Sequence, residues 1–339
     1  MSDTAVERDI YLPVAAQPSI ETFADFATKA EQLGYDRVWC PETWGRDAVT
    51  ILSAIAERTD EIGLGSSILN VYSRSPALLG QTAATLQELS GGRFRMGLGP
   101  SGPILVEGWH GTDFESPLRF TRETIEIVKT VAAGEPLEYD GKIHQLSGFR
   151  LRFDPPDERP PIDAGGMSPK SVELAGRFGD GWHALMLTPE GLRDRIEDFE
   201  HGGDLGDRDR SEQRITLALP CIALEDGERA RELARNHIAF YVGGMGTFYR
   251  EALERQGYEE TAQTVAAEWA NRNKDAAMDA ISEDLLSDLG AVGTPEECRE
   301  RLQDFADIDG IDAINISFPR AAKPEEIEAT MDVLAPETE

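Results

Sequence analysis

The composition describes a folded protein and excludes several classes. The chain has 339 residues and 40% apolar content, enough for one large core or two modest domains. No run approaches the roughly 20 consecutive apolar residues of a membrane span, so no membrane partner is expected. The three cysteines show neither disulfide nor zinc spacing, and no metal site is expected. The first residues lack the basic and apolar runs of a signal peptide, which predicts a cytoplasmic protein.

Charge is the most unusual property of the composition. Asp and Glu total 63 against 33 Lys and Arg, which gives a net charge of −30. Nucleic acid is disfavoured as a partner, because no basic stripe exists to release its counterions. So many carboxylates predict adaptation to a salt-saturated cytoplasm, where their mutual repulsion is screened.

Apolar runs typical of strands alternate with amphipathic runs of helical length along the chain. Eight strands are predicted, at 10–14, 36–40, 62–68, 93–99, 160–166, 180–187, 214–224 and 311–317. Helices are predicted at 19–34, 47–59, 76–92, 117–134, 169–179, 189–200 and 323–334. Such alternation predicts an α/β fold with a parallel sheet, and eight repeats favour a (β/α)8 TIM barrel over a six-stranded doubly wound sheet. We expect a single domain over 1–339, with 225–310 as a mostly helical insertion between strands seven and eight.

In a barrel, the active site lies on the loops that follow the strands. The chain reads FRMGLGPSG (94–102) at predicted strand four, which contains the GxGxxG spacing of a dinucleotide-binding turn. Pro100 and Pro103 interrupt that turn, and the next good helical pattern begins only at about Pro117, so the spacing is interpreted as a coincidence. We expect Gly99 to leave room for a ligand at the mouth of strand four.

A better anion site follows predicted strand five. Gly165 and Gly166 end that strand, Ser168 is a good N-cap, and Pro169 suits the first helical position. Free backbone N–H groups in this turn, which includes Met167, and the helix dipole would then point at an anion. The alternative interpretation is an ordinary capped loop.

Four stretches together resemble the luciferase-like superfamily of flavin and deazaflavin barrels, and most of all its coenzyme F420-dependent branch. They are VWCPETW (38–44), the run 62–102, AGGMSPKSVELAGRFGDG (164–181) and VGTPEE (292–297). In order and spacing they are similar to methylenetetrahydromethanopterin reductases, and the acidity indicates a halophilic archaeal type. The resemblance implies a homodimer that acts on a small-molecule substrate.

The resemblance also implies where coenzyme F420 binds. Deazaflavin members carry a non-prolyl cis peptide bond in a bulge at the end of strand three, which aligns with Ser67–Ile68. We expect coenzyme contacts in this region from Ser66, Ser67, Ile68 and Asn70. The phosphate site of the family aligns with Gly165, Gly166, Met167 and Ser168, where the residues themselves predict an anion. FMN is the alternative cofactor.

Departures from the family pattern leave the substrate open. Many relatives have an Asp-His pair after strand two, where this chain has Glu42-Thr43. The glutamate of methylenetetrahydropterin reductases near the end of strand one aligns with Pro13, which cannot transfer a proton. We therefore predict hydride transfer between F420 and a small carbonyl, alcohol, imine or activated alkene, with reduction of a methylenetetrahydropterin (tetrahydrofolate or methanopterin) included.

Candidates for proton transfer or ring contact come from two loops. Glu42 and Thr43 follow strand two, and Glu107 and His110 follow strand four. His183 lies within a strand and is interpreted as a hydrogen-bonded interior residue. Two other functions stay open: an FMN-dependent luciferase-like monooxygenase, and a coenzyme-binding protein without turnover.

Overall fold

Eight parallel strands close a barrel in the computed structural model, which describes residues 6–14 and 19–336. The strands in chain order are β1 (Glu7–Tyr11), β2 (Arg37–Cys40), β3 (Gly63–Asn70), β4 (Phe94–Gly99), β5 (Leu137–Asp140), β6 (Gln145–Phe149), β7 (Ile162–Gly165), β8 (Gly181–Leu185), β9 (Arg214–Ala223), β10 (Ala291–Gly293) and β11 (Ala313–Ser317). The barrel order is β1, β2, β3, β4, β7, β8, β9 and β11, which pairs with β1 again. β5 and β6 form a separate antiparallel hairpin, and β10 pairs with β9 outside the barrel.

Helices cover the outside of the barrel, and most begin at a capping residue. They are α1 (Ile20–Gln32), α2 (Ala48–Ala56), α3 (Pro76–Leu89), α4 (Pro103–Gly108), α5 (Pro117–Ala132), α6 (Pro169–Phe178), α7 (Pro189–Leu205), α8 (Gly227–Gly244), α9 (Phe248–Glu254), α10 (Glu259–Ala270), α11 (Lys274–Asp279), α12 (Glu283–Leu289), α13 (Pro295–Ala306) and α14 (Pro324–Val333). The side chains of Ser75 and Thr188 accept a hydrogen bond from the first turns of α3 and α7, and each helix has proline at its start. None of the helices in the described ranges is long and apolar enough to cross a membrane.

Alternate residues of the barrel strands face two different environments. Ile10 and Val38 pair with each other and pack under the helices in the main hydrophobic core. Asp9 and Trp39 point into the barrel, where the indole Nε1 donates to Asp9 Oδ2 at 2.7 Å. Arg214 donates to the same oxygen at 2.7 Å. The barrel interior is therefore filled by paired charges and aromatic rings rather than by aliphatic side chains alone.

The predicted barrel and its eight strands are confirmed, with three local corrections. The first strand is Glu7–Tyr11 and not 10–14, because Pro13 has no N–H to donate to a ladder. A helix, α4, begins at Pro103, well before Pro117, since proline is compatible with the first helical position. Residues 135–159, where no strand is predicted, contain the β5–β6 hairpin.

The long segment after β9 carries six helices and β10. Its description as an insertion, 225–310, within a single domain over 1–339 stays a prediction. Of the predicted domain over 1–339, residues 1–5, 15–18 and 337–339 lie outside the described part of the chain.

Asp180 connects several elements at the amino-terminal end of the barrel, where the strands begin. Its Oδ1 accepts from Lys129 at 2.7 Å and from Arg208 at 2.8 Å, and its Oδ2 accepts from Arg159 at 2.6 Å. Oδ2 also accepts from the backbone N–H of Ile162 at 2.9 Å. Burial alone would raise the pKa of Asp180, but the hydrogen bonds and charges of Arg159 and Lys129 lower it far below its ordinary value. The carboxylate therefore joins α5, the start of β7 and the loop after α7.

We expect Asp180→Asn to lower the free energy of unfolding by about 3 kcal/mol, because three cations lose a buried counter-charge. The matched control is Asp304→Asn, which removes the surface ion pair of Asp304 with Arg301 and should cost less than about 1 kcal/mol. Urea unfolding followed by circular dichroism measures both variants. Equal losses in the two variants would contradict the anchoring role.

Candidate functional site

A bulge in β3 marks the mouth of the barrel, at the carboxyl ends of the strands. The pairing of β3 with β4 shifts register between Ser66 and Leu69, and the Ser67–Ile68 peptide bond is cis. The hydroxyl of Ser66 donates to Gly97 O and accepts from Gly97 N–H, both at 3.1 Å. The Ser66 side chain thus links the two strands beside the bulge and is already engaged. A coenzyme contact from Ser66 stays a prediction.

Ile68 lies between two strand ends that carry glycine. A Cβ at Gly99 would lie 3.2 Å from Ile68 Cγ1, and a Cβ at Gly165 would lie 3.1 Å from Ile68 Cγ2. The glycines therefore make room for this side chain of the bulge. Gly102, in the loop beyond β4, has nothing within 4 Å of its would-be Cβ, so the open space lies further out.

Ser67 is held from two sides. Tyr11 Oη donates to the carbonyl of Ser67 at 2.5 Å, and Ser67 Oγ lies 3.3 Å from His183 Nδ1. His183 is 4% exposed, and its Nε2 lies 3.4 Å from Asp163 Oδ2. Arg95 donates to both oxygens of Asp163, at 2.6 and 2.7 Å. A continuous polar chain therefore runs from the barrel interior to the bulge.

This polar chain keeps Asp163 ionised. Burial alone would raise the pKa of the carboxyl group, but the charge and the two hydrogen bonds of Arg95 lower it to about 2. His183 itself stands edge-on to Trp39, with ring centroids 4.5 Å apart. The structure thus places His183 in the interior, hydrogen-bonded, as its position within a strand indicated.

The turn after β7 has the geometry of an anion site. Ser168 caps α6 through a reciprocal bond with Ser171, and a Cβ at Gly166 would lie 2.5 Å from Ser171 Cβ. The backbone N–H groups of Met167 and Lys170 donate to no atom of residues 6–14 and 19–336. They are orphan donors at a helix N-terminus, where an anion is favoured.

Asn70 presents a second unused donor at the mouth. Its Oδ1 accepts from Tyr72 N–H at 2.9 Å, whereas its buried Nδ2 has no acceptor in the described ranges. A polar ligand at the end of β3 would satisfy this donor.

Glu42 is a half-buried member of an ion pair rather than a solvated carboxylate. Its side chain is 10% exposed, and both of its oxygens accept from Arg74, at 2.5 and 2.7 Å. Oε1 also accepts from Ala48 N–H at 3.1 Å, and Arg74 reaches Asp47 at 2.9 Å. The hydrogen bond with Glu42 raises the pKa of Arg74. This ion pair fastens the loop after β2 to the loop after β3 and leaves Glu42 few lone pairs for a substrate.

The other three proton-transfer candidates are dispersed. Thr43 is exposed in the loop after β2, and Glu107 is exposed on α4, where it accepts from Phe114 N–H at 3.4 Å. His110 is partly buried just after α4, and its backbone N–H donates to Leu105 O. These residues are not joined to Glu42 by any hydrogen bond within the described ranges, and their catalytic roles stay predictions.

Aromatic rings that the sequence did not single out line one side of the mouth. Tyr72 contacts Phe120 and Phe114, with centroids 4.1 and 5.5 Å apart, and Phe114 lies 6.0 Å from Phe248 of α9. Tyr241 of α8 contacts Tyr249 of α9 at 4.8 Å. The long segment after β9 thus reaches the loops of β3 and β4, which no local sequence pattern reveals.

Comparisons with known proteins identify the family of this chain. The luciferase-like monooxygenase family matches residues 7–310. A putative coenzyme F420-dependent oxidoreductase of Mycobacterium tuberculosis is 32% identical over 85% of this chain and 88% of its own length. The 5,10-methylenetetrahydromethanopterin reductase of Methanolobus tindarius is 30% identical over 84% of this chain and 86% of its own.

The fold is also similar to a solved structure, the coenzyme F420-dependent tetrahydromethanopterin reductase of Methanopyrus kandleri. That chain is 21% identical, covers 99% of both chains and has a TM-score of 0.85. The chain belongs to the luciferase-like monooxygenase family, and its resemblance to that superfamily is confirmed.

The stability of the protein in acid tests the contribution of Asp163 and its buried polar contacts. A carboxyl group with a depressed folded-state pKa contributes stability that is present above its unfolded pKa, near 4, and is lost as the pH falls towards about 2. We expect Asp163→Asn to lower the free energy of unfolding by about 2 kcal/mol at neutral pH, and the difference to shrink between about pH 5 and pH 2. Urea unfolding of both proteins at several pH values measures it, and a difference that is constant with pH would exclude this carboxylate as its source.

Proposed function

We propose that this protein is a coenzyme F420-dependent oxidoreductase that transfers a hydride between the deazaflavin and a small organic substrate. The observation that carries the proposal is its 32% identity, over 85% of the chain, to a protein described as a putative coenzyme F420-dependent oxidoreductase. The geometry supports it, since the β3 bulge, the end of β4 and the α6 turn lie at the same mouth.

The residues present fit such a coenzyme. Met167 and Lys170 offer free N–H groups for a phosphate, and the buried Asn70 Nδ2 offers a donor at the end of β3. Ser67 and Ile68 would supply the surface against which the ring system rests, as the resemblance implied. When bound, the deazaflavin supplies the carbon that donates or accepts the hydride.

The protein contributes orientation and a dry environment. The series of polar side-chain contacts from Arg95 to Ser67 keeps the bulge in place. The Glu42–Arg74 ion pair fixes the loops beside it. Phe114 and Phe248 cover one side of the mouth, which favours an apolar or only partly polar substrate. Small carbonyls, alcohols and imines, and the methylenetetrahydropterins named for one relative, all stay within this proposal.

Coenzyme binding is the direct test. We expect titration of F420 into the protein to quench deazaflavin fluorescence, and Gly166→Ala to weaken binding about 10-fold or more. The added Cβ would lie 2.5 Å from Ser171 and displace the turn that presents the N–H groups. Lys170→Gln is the matched control. Its ammonium group already pairs with Glu173 and its side chain is 72% exposed, so binding should change less than about twofold.

Two outcomes of the coenzyme experiments would contradict the proposal and identify a different function. Tight FMN binding with oxygen consumption, and no F420 binding, would identify the monooxygenase. F420 binding without hydride exchange to any carbonyl, alcohol or pterin would identify a coenzyme-binding protein without turnover.

We also propose that the chain is of a halophilic archaeal type and works as a cytoplasmic homodimer. The net charge of −30 supports the first part, because so many like charges repel one another unless they are screened. Light scattering measures the oligomeric state.

Salt dependence of stability tests the halophilic adaptation. We expect the melting temperature to rise by roughly 10 °C or more from about 0.05 M to about 1 M KCl, where the screening length falls to about 3 Å. Differential scanning calorimetry measures the change, with sucrose at equal osmolality as the control for general exclusion effects. A melting temperature that is independent of KCl would contradict the adaptation.

A further inference from the structure

Tyr11 is the last side chain that β1 directs into the barrel. It pairs in register with Trp39, whose indole lies inside the barrel, and its hydroxyl reaches Ser67 on β3, two strands away. Pro13 lies beyond the end of β1. The functional group that β1 places at the mouth is therefore a phenol.

The phenol stands where a substrate and the bulge meet. It donates to the Ser67 carbonyl at 2.5 Å, and Tyr11 as a whole residue is half-buried at the end of β1. Burial raises the pKa of Tyr11 well above its ordinary value, and the neighbouring phenol of Tyr241 adds to the rise. The hydroxyl therefore keeps its proton over the working pH range and has it available to donate.

The other acidic groups near the mouth are less suited to this step. Both oxygens of Glu42 accept from Arg74. Glu107 is exposed on α4. His183 lies beneath the bulge, against Ser67 and Asp163, and is 4% exposed.

We propose that the Tyr11 hydroxyl is the proton donor to substrate and that the substrate class is a ketone or aldehyde, with the alcohol in reverse. The inference rests on the proposed F420-dependent function. A hydride from the reduced coenzyme forms the new C–H bond as the C=O π bond opens. The electron pair moves onto the substrate oxygen, which takes the proton of Tyr11. The Tyr11 hydroxyl thereby gives up its hydrogen bond to the Ser67 carbonyl. The phenolate then recovers a proton from solvent at the mouth.

Acid strength is the reason that a phenol selects a carbonyl. The oxygen of a reduced carbonyl develops into an alkoxide, a much stronger base than phenolate, so proton transfer from Tyr11 is favourable. Before its C–N bond breaks, the arylamine nitrogen of a methylenetetrahydropterin is a much weaker base than phenolate. A phenol therefore does not protonate it ahead of ring opening, and a carboxylic acid is better matched to that step.

Tyr11→Phe tests the proposal, because it keeps the ring and removes the hydroxyl. With F420 and a panel of acetone, butanone and cyclohexanone, we expect turnover to fall about 100-fold or more, and the F420 dissociation constant to change less than about twofold. The matched control is Tyr35→Phe. Its hydroxyl likewise donates to a backbone carbonyl, that of Met331 at 2.8 Å, but at the opposite end of the barrel. This control should leave turnover and coenzyme binding within about twofold.

Two further measurements do not depend on turnover of the variant. Isobutyramide, an unreactive carbonyl analogue, should bind the F420 complex of Tyr11→Phe about 10-fold more weakly than that of the wild type. In the wild type alone, single-turnover reduction of acetone should show a solvent deuterium isotope effect of about 2, because the O–H bond of the donor breaks with hydride transfer.

The outcomes separate the two proposals. Loss of turnover and of amide affinity with intact F420 binding supports the role of Tyr11. Full ketone reduction by Tyr11→Phe, or turnover of the wild type with methylenetetrahydrofolate but with no ketone, overturns that role or its substrate class and leaves the F420 function standing. Absence of F420 binding to the wild type overturns the proposed function itself.

Discussion

The ion pair between Arg95 and Asp163 in the barrel interior is the interaction on which the site depends. Its two hydrogen bonds join β4 to β7, and the same guanidinium donates to the carbonyl of Asp180 at 2.7 Å. Asp163 in turn faces His183, and His183 faces Ser67 at the bulge. A buried charge that loses its partner is strongly destabilising, so this pair also holds in place everything stacked above it.

At the mouth of the barrel, some of the groups that could face a ligand belong to the backbone and others to side chains. The bulge and the α6 turn offer backbone groups, which do not vary with residue type, whereas Tyr11 and the aromatic rings offer side-chain groups, which do. This division explains why a coenzyme is easier to infer than a substrate. In the proposed function, the coenzyme would contact turns with recognisable glycines, whereas the substrate would contact single side chains from β1 and from the long segment after β9.

The sequence predicts the barrel well because β/α alternation is a local pattern. The sequence does not predict which strand residues point into the barrel. Polar residues that alternate along a short strand, such as Asp9 and Tyr11, are also typical of a strand at the edge of a sheet. Glu42 was placed at the right loop, but its partner Arg74 is 32 residues away. The contact of Phe114 with Phe248 spans more than 130 residues, and only the closed barrel brings these rings together. Gly99 lies at the end of β4, where its immediate neighbour is the side chain of Ile68, and room for a ligand at this glycine stays a prediction.

The two populations of carboxylates in this acidic chain respond differently to salt. Asp163 and Asp180 are buried and paired, where mobile ions reach poorly and screening is weak. The exposed carboxylates, by contrast, repel one another through solvent and depend on ions for relief. Ionic strength therefore acts on the stability of the whole fold, while the internal geometry, from Asp180 through Arg95 to the bulge, is insulated from it. An enzyme built in this way keeps its site unchanged across salt concentrations for as long as the barrel remains folded.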